Sequence, residues 1–150
     1  MEPEMSYLVG DIARLLRRAF DERVRELGVT STQARLLLIL DRHPNENQAF
    51  YAERLDVEPM TLCRMVDRME ESGLVERKPD PNDRRARLVS LTPRSHSELA
   101  RIRSTLTELN TQMLDGFTLE DQSQLRKLIG NLATNLGQLC DRPEGLRAHG

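Results

Sequence analysis

Three polar side chains, Thr61, Arg64 and Arg68, stand beside an apolar series, Leu62, Met65, Val66 and Met69, in a segment that opens at Pro59. The apolar series has the spacing of a helix stripe laid on a core, which leaves the polar three on a face open to a partner. Further along, Arg84, Arg85 and Arg87 crowd a turn that also holds Asp83. Guanidinium forks match phosphate oxygens and the acceptor edge of guanine, so the chemistry on offer is recognition of duplex DNA. Bond-making chemistry would need a nucleophile, a base or a metal cluster. The sequence presents no such constellation, His43, His96 and His149 have no metal-ligand spacing, and neither a catalytic residue, a metal nor a cofactor is expected.

These side chains need elements to hold them. Gly73 is expected to stop the helix that begins at Pro59, Leu74 to Lys78 reads as a strand, Pro79 to Asp83 as a turn and Arg87 to Leu91 as the returning strand. A helix followed by a basic hairpin has the pattern of a winged helix. Upstream, Thr30-Ser31-Thr32-Gln33 is a capping-box pattern that starts a helix running to about Arg42. A short helix from about Gln48 to Leu55 then leads through Asp56-Val57-Glu58 to Pro59, a helix-turn-helix arrangement.

On either side lie longer helical patterns. Leu8, Ile12, Leu15, Leu16, Ala19 and Leu27 keep helical spacing up to Gly28. Leu99, Ile102, Leu106, Leu109 and Met113 do so after Thr92-Pro93, and Leu125, Leu128, Leu132, Leu136 and Leu139 do so after Thr118. These stripes exceed what one winged helix needs to cover itself, and a homodimer would bury the excess. The expected fold is mainly α with a small β-hairpin wing, a winged helix-turn-helix flanked by N- and C-terminal dimerisation helices. The corresponding division is 1–29 with 93–141 for the dimerisation region, 30–92 for the DNA-binding region and 142–150 for a tail.

Composition sets the class. With 38% apolar and only 3% aromatic residues, the core must be aliphatic and the chain mainly helical. The formal net charge of -2 argues against indiscriminate binding to nucleic acid, but charge is clustered: Glu76 to Arg87 holds Arg77, Lys78, Arg84, Arg85 and Arg87 against three carboxylates. Cys63 and Cys140 form no paired motif, which suggests reduced thiols. The start of the chain lacks the pattern of a secretory signal and no stretch is long enough to span a bilayer, so no membrane partner and a cytoplasmic location are expected.

The stretch Asp83-Arg84-Arg85-Ala86-Arg87-Leu88-Val89-Ser90-Leu91-Thr92 resembles the wing signature of the MarR family of winged-helix transcriptional regulators, Asp-x-Arg followed by an apolar strand and Leu-Thr. Val66-Asp67-Arg68-Met69-Glu70 leading to Gly73-Leu74-Val75-Glu76-Arg77 is similar to the family as well, as is the Gly28 to Gln33 segment. Tyr51 departs from it, standing where a leucine is expected. The resemblance covers nearly the whole chain and implies a triangular homodimer on a pseudo-palindromic operator. It further implies a repressor relieved by a small phenolic or aromatic acid, or by oxidation of a cysteine.

Thr61 and Arg64 are the candidates for base contact in the major groove, with a phosphate contact as the alternative for each, and Arg68 is nearer the phosphate backbone or paired with Glu70 or Glu71. Arg85 resembles the family's minor-groove arginine, Arg84 and Arg87 are candidates for phosphate contacts, and Asp83 is expected to shape the turn. Tyr7, Arg14 and Arg18 could offer a phenol and cations to a small-molecule effector, although solvated surface positions are the blander alternative. Cys63 is the candidate for a redox-sensing role, against which stands the simpler reading of a passive small side chain. A rival for the whole surface is a winged-helix module that binds protein, which would be insensitive to salt where phosphate binding is steeply sensitive.

Overall fold

In the computed structural model of the chain, residues 1–141 are described; the expected tail, 142–150, lies outside them. The chain divides into two compact units, the first Met1–Leu109 and the second beginning at Asn110.

Helix α1, Met5–Arg25, buries a stripe different from the leading half of the expected one. Phe20 and Val24 are buried, Leu16, Ala19 and Leu27 are half-buried, and Leu8, Ile12 and Leu15 face solvent. Helix α2, Ser31–Arg42, begins at the expected capping box: Thr30 Oγ1 accepts from Gln33 N at 3.1 Å and Gln33 Oε1 accepts from Thr30 N at 3.3 Å. Those two bonds satisfy backbone donors that a helix start would otherwise leave free. Its buried face is Ala34, Leu36, Leu37 and Leu40.

A two-residue strand β1, Glu46–Asn47, precedes helix α3, Gln48–Leu55, and Asn47 Oδ1 caps that helix by accepting from Phe50 N at 2.9 Å. Helix α4, Pro59–Glu71, opens with proline at its first turn, where the missing N–H costs nothing. Strands β2, Val75–Asp80, and β3, Asp83–Leu91, form an antiparallel hairpin, and β1 pairs with β3 on its other edge, Glu46 with Val89 and Asn47 with Leu88. The sheet order is β1-β3-β2. The hairpin is longer than its sequence pattern suggested, and its turn is confined to Pro81 and Asn82.

Helix α5, Ser95–Met113, contributes Leu99, Ile102 and Leu109 to the same core that holds Val24, Leu36, Leu62, Val66, Val75 and Val89. Much of its leucine and isoleucine stripe is therefore already covered within the chain. Helix α6, Leu119–Cys140, belongs to the second unit and starts at another capping box, Thr118 with Asp121 at 3.0 Å in both directions. None of its residues is buried.

Candidate nucleic-acid interface

Helix α4 is seated by Leu62, Met65, Val66 and Met69, all buried, which fixes its rotation about its own axis. The tight link from α3 sets its direction. Asp56 takes a left-handed conformation at φ 54°, and Val57 N donates back to Ala52 O at 3.0 Å. With the apolar stripe pinned inward, Thr61, Arg64 and Arg68 are exposed, as the spacing predicts. Among the described residues neither Arg64 nor Arg68 has an ion-pair partner. Of the two readings for Arg68, the intrahelical pair with Glu70 or Glu71 does not form, and Glu70 is engaged by Arg77.

The wing tip is shaped by two carboxylates. Asp80 Oδ1 accepts from Asn82 N and Asp83 Oδ1 accepts from Arg85 N, each at 2.9 Å. Aspartate bonding a backbone N–H two residues on is a local turn lock, and it gives Asp83 a structural role beside three arginines. Arg84, Arg85 and Arg87 are exposed, and strand alternation sets Arg85 and Arg87 on one face and Arg84 on the other. Among the described residues none of the three is in an ion pair, so the hairpin tip presents three unpaired guanidinium groups.

Arg77, one of the five basic residues counted toward the cluster, does something else. Its side chain is only 17% exposed; Nη2 lies 2.7 Å from Asp67 Oδ1 and Nη1 3.2 Å from Glu70 Oε1, both on α4. Nε donates to Gln48 Oε1 on α3 at 3.0 Å, and Nη2 donates to the Cys63 carbonyl at 3.1 Å. One guanidinium thus ties β2 to both helices of the helix-turn-helix and neutralises two carboxylates on the helix that carries Arg64. Burial pulls the Arg77 pKa down, but the hydrogen bonds and charges of Asp67 and Glu70 outweigh it and the net shift is upward. The signal was present in the sequence: Arg77 stands two residues after the buried Val75 on the same strand, a period that turns both inward.

Tyr51, the residue out of pattern, is fully buried. Its hydroxyl donates to the His43 carbonyl at 2.6 Å and accepts from Glu46 N at 3.0 Å. Instead of loosening the packing, the phenol staples the turn after α2 to the start of β1, the one strand that sequence reading missed. Burial raises its pKa, opposed by the Glu46 N–H and aided by the Glu46 charge. Cys63 is half-buried with its sulfur 3.8 Å from Arg77 Nη2, and Cys140 is exposed.

The three effector candidates on α1 are not among the residues that line the two cavities beside that helix. Tyr7 is exposed, and Arg14 and Arg18 are exposed in pairs with Asp11 and Glu22 at 3.4 and 3.3 Å. A cleft of about 530 Å³ lies instead among α1, α2, α3 and α5, with Arg17, Arg35, Arg42, Arg54 and Arg103 on its walls. Asp41 answers Arg103 in an ion pair. An adjoining apolar hollow of about 340 Å³, walled by Leu16, Phe20, Leu38 and Leu106, shares Arg17 and Arg35 with it. Arg35 Nε is buried there without a hydrogen-bond partner. Desolvation, then the nearby Arg17 charge, lower the Arg35 pKa, with Asp21 opposing. An anion with an apolar body placed between Arg17 and Arg35 would offset their mutual repulsion.

Among the described residues no group of three or more His, Cys, Asp and Glu could hold a metal ion, and no helix is long and apolar enough to cross a membrane. Residues 29–86, which span α2 to the wing, match the family model for the MarR family. Among solved structures the chain is similar to the transcriptional regulator PA3341, at 29% identity and TM-score 0.78 over 90% of this chain and 99% of that one. It is similar to a MarR crystal structure at 26% identity and TM-score 0.79, over 92% and 94%. A cysteine-to-serine mutant of MarR from E. coli, complexed with operator DNA, matches at 24% identity and TM-score 0.70 over 85% and 92%. The family model matches the winged helix, and the fold is shared along nearly the whole length, so the chain carries a MarR-type winged helix and is similar to MarR-family transcriptional regulators.

Proposed function

We propose that the protein is a homodimeric, sequence-specific regulator that reads a pseudo-palindromic operator in duplex DNA. The observation that carries this reading is the set of exposed, unpaired arginines on α4 and the wing tip, while the half-buried Arg77 is internally compensated. Thr61 and Arg64 read the major groove and Arg68 lies against the backbone; Arg85 enters the adjoining minor groove, and Arg84 and Arg87 meet phosphates. The E. coli MarR mutant seen on operator DNA supports the assignment by its shared fold. Such a regulator works in the cytoplasm, beside the DNA.

Two copies are supported by the terminal helices, each taken by itself. Helix α1 exposes Met5, Leu8, Val9, Ile12 and Leu15, and α6 exposes Leu128, Ile129, Leu132, Leu136 and Leu139. A helix of 22 residues that buries none of them gains little stability in water, so a second copy is the occupant that these stripes require. Dimer symmetry then gives two reading helices and a two-fold operator.

The same reading makes the protein a repressor released by a small aromatic acid. The arginine-walled cleft with its apolar extension and the mutual repulsion of Arg17 and Arg35 favour an anionic, amphipathic effector. Its effect is a population shift, toward a dimer whose reading helices no longer match the groove spacing. The test is recovery of the genomic fragments the full chain retains, followed by binding measured against salt. A shared inverted repeat bound with a steep salt dependence is expected; salt-insensitive binding, or retention without a common sequence, would refute the reading.

A further inference from the structure

Helix α4 holds three methionines, and they do not share a fate. Met65 and Met69 are buried in the stripe, whereas Met60 is 64% exposed. At about 100° per residue, Met60 and Arg64 fall on the side of the helix opposite the centre of the stripe formed by Leu62, Met65, Val66 and Met69. Thr61 and Arg68 lie on the flank of that face. Asp67 shares the outer face, but its carboxylate is held by Arg77. The most outward part of the reading helix's first two turns is therefore an unbranched apolar side chain followed one turn later by an arginine.

Single exposed apolar side chains are ordinary on protein surfaces. Met60 differs in its setting, because it is an apolar group on a face whose other free members, Thr61, Arg64 and Arg68, are polar or cationic until Glu71 closes the helix about three turns on. That face suits a polyanionic surface, and an apolar side chain pressed against polar base edges would leave donors or acceptors unpaired. In the major groove one base edge escapes that penalty, the 5-methyl group of thymine. The thioether chain is flexible enough to follow it.

We propose that Met60 is a specificity-determining residue that packs against the 5-methyl group of a thymine close to the base read by Arg64. The inference rests on the proposed reading of α4 as the groove-facing helix. The two side chains are one turn apart, about 6 Å along the axis, against about 3.4 Å between base pairs. The thymine is therefore within about two base pairs of the Arg64 contact, once in each half-site.

The test uses the full chain and a duplex it retains, with each thymine replaced in turn by deoxyuridine, which removes only the methyl group. For the unaltered protein, one position per half-site is expected to weaken binding about fourfold, the size of one buried methyl-sized contact. Met60→Ala is expected to fold normally, since the side chain is exposed, and to bind the thymine and uracil duplexes equally there. Met60→Leu is expected to keep the preference. Indifference to uracil at every position, or a thymine preference that survives in Met60→Ala, overturns the proposal while leaving DNA binding in place. Failure to retain any duplex overturns the regulator reading, and this one with it.

Discussion

Replacing Arg77 with methionine keeps an apolar stem under the wing and deletes the fork that joins β2 to α3 and α4. The two ion pairs have partners that are 55% and 42% exposed, Asp67 and Glu70, so water screens them and each contributes no more than about 0.5 kcal/mol. The hydrogen bonds to Gln48 and to the Cys63 carbonyl add about 1 kcal/mol each, and relief of guanidinium desolvation offsets part of the total. The net expectation is a loss of about 2 kcal/mol, seen as a fall of about 4–8 °C in melting temperature for a chain of this size. DNA affinity should fall as well, because Asp67 and Glu70 are left uncompensated on the helix proposed to meet the phosphates. Two such carboxylates in a watery groove cost about 1–2 kcal/mol, or roughly tenfold in affinity at low salt. Urea melts and fluorescence anisotropy on the same preparations separate the two effects. Arg77→Lys restores a charge but not the fork and should recover affinity more than stability. If Arg77→Met matched the unaltered protein in both measurements, the idea that this residue organises the reading surface would be wrong.

Arg64→Ala should weaken operator binding and relax preference at one position per half-site, by about 1–3 kcal/mol if the contact is bidentate, whereas Arg85→Ala should lose affinity chiefly on A·T-rich flanks. Competition binding against a small duplex library decides both, and unchanged specificity in Arg64→Ala removes it from base readout. Tyr51→Phe strips two backbone groups of their partner and should cost about 1–3 kcal/mol in urea melts. Because the folded-state pKa of Tyr51 is raised from 10.0, its contribution is intact below pH 10 and is lost as pH climbs through the raised value. The unaltered protein should therefore lose stability in alkali more steeply than Tyr51→Phe, and parallel pH profiles would contradict this. Truncation after Gly116 removes α6 and should give a monomeric or unstable product in sedimentation; a well-folded dimer would refute a dimer base that needs this helix.

Most elements were legible because their signals are local. Capping boxes at Thr30 and Thr118, proline at the head of α4 and glycine at position 73, with φ of 78°, depend on a few neighbouring residues. Apolar spacing likewise exposed Thr61, Arg64 and Arg68 by fixing what must face inward. The two-residue strand β1 was illegible because so short a segment has no period, and its pairing with β3 depends on the Tyr51 staple. On α1 every leucine kept helical spacing, but spacing does not say which stripe a neighbour covers. The structure chose Phe20 and Val24 and left Leu8, Ile12 and Leu15 open.

By itself, the sequence determined a winged helix carrying arginines on an exposed helix face and at the wing tip, because periodicity and turn chemistry are properties of adjacent residues. Only the tertiary structure decided which of those arginines are available. Arg84, Arg85 and Arg87 stay free at the hairpin tip, while Arg77, similar in type and close in sequence, is spent internally on Asp67 and Glu70. The physical reason is that a charge acquires its role from the groups folded against it, and those come from segments far apart along the chain. The same holds for the cleft, where Arg17 and Arg35 from separate helices meet and leave one buried donor unanswered.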